Sequence, residues 1–172
     1  MYRPNNSFKP KPLRGSAPIS GARSLTIMAT AARAGDNERR FHDIFVGKAP
    51  GTPLLGKKRY ASGGVEISVD QSFVHDDREV LIEIDSANMA KLIVGQYVLL
   101  NHLRDSDKPA FFLVVHAYRK FNPVRTISNL DLVNQKLFFG KGLAFGAMHF
   151  DELSSWGGDV TTLLTIAQRS SN

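Results

Sequence analysis

Two apolar runs around a short polar break constrain the fold of this 172-residue chain more than any other feature. The runs cover residues 94–102 and 110–118, and the sequence Asp-Ser-Asp-Lys-Pro at 105–109 separates them. Both runs are rich in β-branched and aromatic residues, and a polar break that contains proline is typical of a turn. The pattern therefore predicts two strands of a central hairpin. Neither run reaches the roughly 20 apolar residues that cross a membrane.

Residues 65–70 and 79–84 alternate between apolar and polar side chains, which predicts strands with one solvated face. Further strands are predicted at 126–133, at 137–139 with 143–145 about a Gly-Lys-Gly turn, and at 160–167, where a helix begun by Asp159 is the alternative. Two short helices are expected, one near 37–46 and a brief one after Asp85.

These elements predict a mainly β fold, an antiparallel β-sandwich or β-barrel that is jelly-roll-like or OB-like. We expect two parts in the chain. Residues 1–60 form a basic, Pro/Gly-rich N-terminal arm and linker that includes the helix near 37–46. Residues 61–172 form a compact β domain.

Positive charge is concentrated in the arm. Residues 1–60 carry twelve basic and three acidic side chains, which gives +9, whereas the remaining residues carry ten basic and thirteen acidic side chains, which gives −3. Four prolines within the first 18 residues disfavour a helix there. An extended basic arm is expected to contact nucleic acid or neighbouring subunits. The cations assigned to this contact are Arg3, Lys9, Lys11, Arg14, Arg23, Arg33, Arg39, Arg40, Lys57, Lys58 and Arg59.

The charge division predicts a non-enzymatic structural or assembly protein, such as a virion or other nucleoprotein component, that forms a homo-oligomer or larger assembly with nucleic acid as a further partner. Virion or cytoplasm is the expected location. A mitochondrial transit peptide is the alternative explanation of an arm without acidic residues before Asp36.

Two other functions remain open. A single-stranded nucleic-acid-binding β-barrel would stack bases on Tyr97, Phe111 and Tyr118. A small metal-dependent enzyme would use histidines, but none of the five is spaced as a close ligand pair. They are His42, His75, His102, His116 and His149. We therefore expect no metal, no cofactor and no catalytic residue, and the absence of cysteine excludes thiol catalysis.

One stretch is close to a phosphate-binding loop. Residues 51–58 read Gly-Thr-Pro-Leu-Leu-Gly-Lys-Lys, in which Lys58 replaces the hydroxyl that would hold magnesium. Pro50 and Pro53 restrict the backbone, and no strand is predicted before the loop. A basic linker is the simpler interpretation.

Overall fold

The computed structural model describes residues 35–87, 89–104, 107–118 and 120–168. Of these residues 44% are helical and 28% lie in strands, so the fold is mixed α/β. The helices are α1 (Asp36–Lys48), α2 (Ala90–Leu103), α3 (Pro123–Leu137), α4 (Phe150–Ser155) and α5 (Val160–Gln168). The strands are β1 (Lys58–Ser62), β2 (Val65–Val69), β3 (Gln71–His75), β4 (Arg78–Asp85), β5 (Ala110–His116) and β6 (Ala144–His149).

The main sheet has four strands in the order β3-β4-β5-β6. Strands β3 and β4 are antiparallel, whereas β4, β5 and β6 are parallel neighbours. Parallel neighbours require a crossover, and α2 and α3 supply the two crossovers. Strands β1 and β2 form a separate antiparallel hairpin, and a single residue, Asp70, joins β2 to β3.

Helices cover both faces of this sheet, and two apolar clusters fill the space between. Phe41 and Phe45 of α1 pack with Phe111 of β5 in the first cluster. Tyr97 of α2 packs with Phe112 in the second. Strand β5 is therefore buried on both faces, as expected for a central parallel strand, and this explains its unbroken apolar sequence.

The prediction of a mainly β sandwich or barrel was wrong because three predicted strands are helices. The run at 94–102 lies in α2, whose buried residues Ile93, Gln96, Tyr97 and Leu100 have helical spacing. The stretch at 126–133 lies in α3, where the Asn122 side chain caps the first turn. The C-terminal stretch is α5, preceded by Asp159, which accepts a hydrogen bond from the Thr162 amide at 2.7 Å.

The helix expected near 37–46 is present as α1, but it does not belong to an arm. Phe41 and Phe45 are fully buried beneath the sheet, so the folded domain includes residues that the sequence analysis placed before a boundary near residue 60. Predicted strands at 65–70, 79–84 and 110–118 are present as β2, β4 and β5. Within the described part of the chain, no helix is long and apolar enough to span a membrane.

Candidate functional site

Three charged residues, which we call the charged row, lie close together where β2 gives way to β3: Lys57, Asp70 and Glu83. The β3-β4 register begins with the pair Gln71 and Ile82. The Asp70 amide also donates to the Ile82 carbonyl, at 3.0 Å, so the regular register is interrupted at Asp70. Asp70 Oδ2 accepts from the Ile84 amide at 2.9 Å, and the charge of Asp70 acts on Glu83, which lies between Ile82 and Ile84.

The β1-β2 register ends with the pair Lys58 and Val69, and Lys57 and Asp70 are the next residues of the two chain segments. Lys57 is close enough for its charge to act on Asp70 and Glu83. The charge of Lys57 lowers the pKa of both carboxyl groups, although other influences are stronger.

Burial is the main cause that raises the pKa of Glu83 to about 7. The negative charges of Asp70 and Asp85 raise it further, and a hydrogen bond from Gln96 opposes them. The pKa of Asp70 is also raised, first by burial and then by the charge of Glu38, against the hydrogen bond from the Ile84 amide. Both carboxyl groups are thus held where their ionised forms are disfavoured.

Gln96 of α2 fixes the position of Glu83. Its buried side-chain amide donates to Glu83 Oε2 at 2.5 Å and to the Ser68 carbonyl at 2.9 Å. The helix thereby connects the end of β2 to the carboxylate on β4. An open groove of about 460 Å³ runs past this point, with Glu83, Gln96, Ser68, Lys91 and Leu92 among its lining residues.

Asp70 and Glu83 have no ion-pair partner among the described residues. No described lysine or arginine lies within the 4.0 Å ion-pair distance of either carboxylate. The charge of Asp70 disfavours ionisation of Glu83, and a bound cation would relieve this effect. Magnesium commonly binds one or two carboxylates and completes its shell with water and substrate phosphate. The described residues contain no group of three or more His, Cys, Asp or Glu side chains that could hold a metal ion, so a cation here would depend on these two carboxylates, water and substrate.

A second polar group lies further along β4 and is fully satisfied. Strand register places Asp85 opposite His116. His116 Nδ1 is 2.9 Å from Asp85 Oδ2, and its Nε2 is 2.9 Å from the Thr126 hydroxyl. Asp85 Oδ1 also accepts from the Ala87 and Met89 amides. Burial raises the pKa of Asp85, but the hydrogen bonds from His116 and these amides together outweigh it, and the pKa is lowered.

The predicted arm cations that the structure describes do not come together. Arg3, Lys9, Lys11, Arg14, Arg23 and Arg33 lie outside the described residues. The others separate: Arg39 pairs with Asp36, Arg40 lies over the Phe150 ring, Lys58 pairs with Glu79 and Arg59 pairs with Glu66. Lys57 alone among the described members of the set belongs to the charged row.

The predicted stacking residues do not form a platform for bases. Tyr97 and Phe111 are fully buried, and they lie in the clusters on opposite faces of the sheet. Their assignment as stacking residues was wrong, because each fills a core. Tyr118, which is 46% exposed, is still accessible.

The histidines are dispersed as well. His42 is 3.3 Å from Asp43, His75 is 3.1 Å from the Thr161 hydroxyl, and His102 packs on Phe138. The rings of His116 and His149 are neighbours, with centroids 6.2 Å apart. Asp70, Glu83 and Gln96 were not predicted as site residues. One sequence signal could have identified Glu83: in the alternating pattern of β4 it lies on the same face as the buried Leu81.

Comparison with protein-family models, with curated proteins and with solved structures finds no match to this chain. The chemistry of the site therefore follows from its geometry alone.

Proposed function

We propose that residues 35–168 form a divalent-cation-dependent phosphodiesterase that acts on nucleic acid. The observation that carries the proposal is the proximity of Asp70 and Glu83, two carboxylates of raised pKa that form no ion pair with a described lysine or arginine. Carboxylates in such an arrangement beside a groove favour a functional site over a structural one.

Each residue of the site has a role in this chemistry. Asp70 and Glu83 would hold the cation, and Gln96 would orient the Glu83 carboxylate toward it. When bound, the cation would polarise a phosphoryl oxygen and lower the pKa of a bound water. Lys57, whose charge acts on both carboxyl groups, would stabilise the negative charge that grows on the phosphate.

Nucleic acid is the substrate that best fits the open shape of the groove and the charge of residues 1–60. Two carboxylates leave most of the cation's positions to water and phosphate oxygens. The groove beside Glu83 is open, so a polymer can continue past the site, and its charged lining residues are Glu66, Glu83 and Lys91. The excess of nine positive charges in residues 1–60 would attract a polyanion to the domain.

This proposal departs from the expectation of a non-enzymatic assembly protein, which stays a prediction because most of its arm cations lie outside the described residues. Both hypotheses share nucleic acid as a partner. They differ in whether the partner is cut. Cleavage therefore separates them directly.

The test is incubation of the full chain with labelled single-stranded and double-stranded oligonucleotides in magnesium or manganese, and in EDTA. We expect cleavage with the metal and none in EDTA. Asp70→Asn and Glu83→Gln should each lower the rate by about 1000-fold, because each removes a cation ligand. Asp43→Asn and Asp131→Asn are matched controls on exposed carboxylates and should cleave normally. Cleavage by Glu83→Gln at the wild-type rate would refute the proposal.

A further inference from the structure

A second cavity lies where β5 and β6 begin, at the opposite end of these strands from the level of Glu83. It has a volume of about 290 Å³, which approaches the size of small-ligand sites. Three cations line it, Arg104, Lys108 and Lys141, and the described lining contains no acidic residue. Asp107 belongs to the same turn as Lys108 but does not line the cavity.

Glu79, a carboxylate near the start of β4, is engaged by other groups. Glu79 pairs with Lys58 and also accepts a hydrogen bond from the Tyr60 hydroxyl at 3.0 Å. Burial lowers the pKa of Lys58, and the positive charges of Lys108 and Arg104 lower it further. The cations at this end of the domain therefore repel one another, which a bound anion would relieve.

The cavity is formed before any ligand arrives, because hydrogen bonds to α2 and α3 hold the loop that carries Lys141. The Gly142 amide donates to Asn134 Oδ1 at 2.8 Å, and the Leu143 amide donates to Asn101 Oδ1 at 2.7 Å. A Cβ atom on Gly142 would lie 2.6 Å from Asn134 Oδ1, so a larger residue does not fit without movement. A loop held in this way presents Lys141 at low entropic cost.

Arg104 supplies the second indication of a ligand. One of its terminal nitrogens donates to the Lys108 carbonyl, but its Nε is buried and has no hydrogen-bond partner. A buried donor without an acceptor is unfavourable, and a guanidinium group commonly satisfies two donors with one phosphate.

We propose that this cavity binds a phosphate group through Arg104, Lys108 and Lys141. The phosphate belongs either to the backbone of a nucleic acid or to a free phosphate or nucleotide, and the chemistry of recognition is the same. The site needs no cleavage at Asp70 and Glu83, because it lies at the other end of the strands and uses none of their residues.

The first arm of the test measures binding of inorganic phosphate to the full chain in EDTA by NMR titration. The double variant Lys108→Gln/Lys141→Gln alters two exposed side chains, and it should fold normally. We expect its phosphate affinity to fall by about tenfold or more, as the loss of two charged hydrogen bonds requires. The matched control Lys120→Gln/Lys136→Gln changes two exposed lysines outside the cavity and should bind as the wild type does.

The second arm identifies the source of the phosphate through the salt dependence of binding to a labelled single-stranded oligonucleotide. If the backbone occupies the cavity, the slope of log K against log salt should fall in magnitude by about 1 in the double variant. If the slope is unchanged while phosphate affinity falls, the ligand is a free phosphate. Equal phosphate affinity in the wild type and the double variant would overturn the proposal. Asp70→Asn should retain phosphate binding, so failure of the proposed cleavage is distinguishable.

Discussion

Glu83 and Asp85 lie two residues apart on one face of β4, yet their environments shift the pKa of the two carboxyl groups in opposite directions. Burial raises the pKa of both carboxyl groups. Asp85 receives hydrogen bonds from His116 and from two backbone amides, and its pKa is lowered. Glu83 receives one hydrogen bond, from Gln96, and faces the charge of Asp70, so its pKa rises to about 7.

This difference in pKa distinguishes a carboxylate with a structural role from one that is a candidate to bind a cation, although both lie in the same strand. A buried charge that the fold itself satisfies stabilises the native state and leaves nothing for a ligand to do. A buried charge that the fold leaves unsatisfied lowers stability, and such a loss is typical of functional sites.

Removal of the partner of Asp85 should have the largest effect on stability. His116→Ala leaves an ionised, buried carboxylate without its main partner, so we expect the free energy of unfolding to fall by about 3 to 5 kcal/mol. Urea denaturation measures this value. His42→Ala is the control, since that ring is exposed beside Asp43 and its loss should change stability by less than about 0.5 kcal/mol. Similar small effects for both variants would contradict the account of Asp85.

Neutralisation of Glu83 should act in the opposite direction. Its pKa rises from 4.5 to about 7 on folding, so the native state binds the proton more tightly than the unfolded state does. The contribution of Glu83 to stability is therefore largest below pH 4.5 and is lost as the pH rises through about 7. Glu83→Gln cannot ionise, and in EDTA at pH 8 it should be more stable than the wild type by about 3 kcal/mol.

Near pH 4 the wild type and Glu83→Gln should have the same free energy of unfolding within error, because Glu83 is then mostly protonated in both the native and the unfolded state. Glu66→Gln is the matched control because Glu66 is exposed and pairs with Arg59 on the surface. A gain in stability for Glu83→Gln that does not depend on pH would show that packing, and not charge, is responsible.

The sequence allowed the local elements to be predicted where the pattern was unambiguous. Alternation identified β2 and β4, and the unbroken run at 110–116 identified β5. The run at 94–102 is as apolar as a buried strand, but it lies in α2 and packs against Phe112 and β2. Composition and periodicity do not distinguish these cases in a run of this length.

The candidate site was out of reach of the same methods for a different reason. Asp70 comes near Glu83 through its hydrogen bonds to Ile82 and Ile84 of β4, and Gln96 reaches both β2 and β4 from a helix that was predicted to be a strand. No spacing in the sequence carries these contacts. Lys57 was selected for its charge, and the row it joins became visible only in the paired strands.

The smallest expected effect is the most informative for the comparison of Glu83 with Asp85. It tests whether a bound cation offsets the unfavourable negative charge of Glu83 without involving Asp85. At a magnesium or manganese concentration ten times the dissociation constant, binding to the native state should raise the free energy of unfolding by about 1.4 kcal/mol at pH 8.

Glu83→Gln should lose this increment, which denaturation in metal and in EDTA would measure. His116→Ala should keep the increment despite its lower stability, since Asp70 and Glu83 are intact. An equal increment in Glu83→Gln and the wild type would mean that the metal binds elsewhere, and the contrast between the two carboxylates would then have no functional meaning. Loss of the increment in Glu83→Gln alone would mean that the negative charge of Glu83, which destabilises the fold, serves to bind the cation.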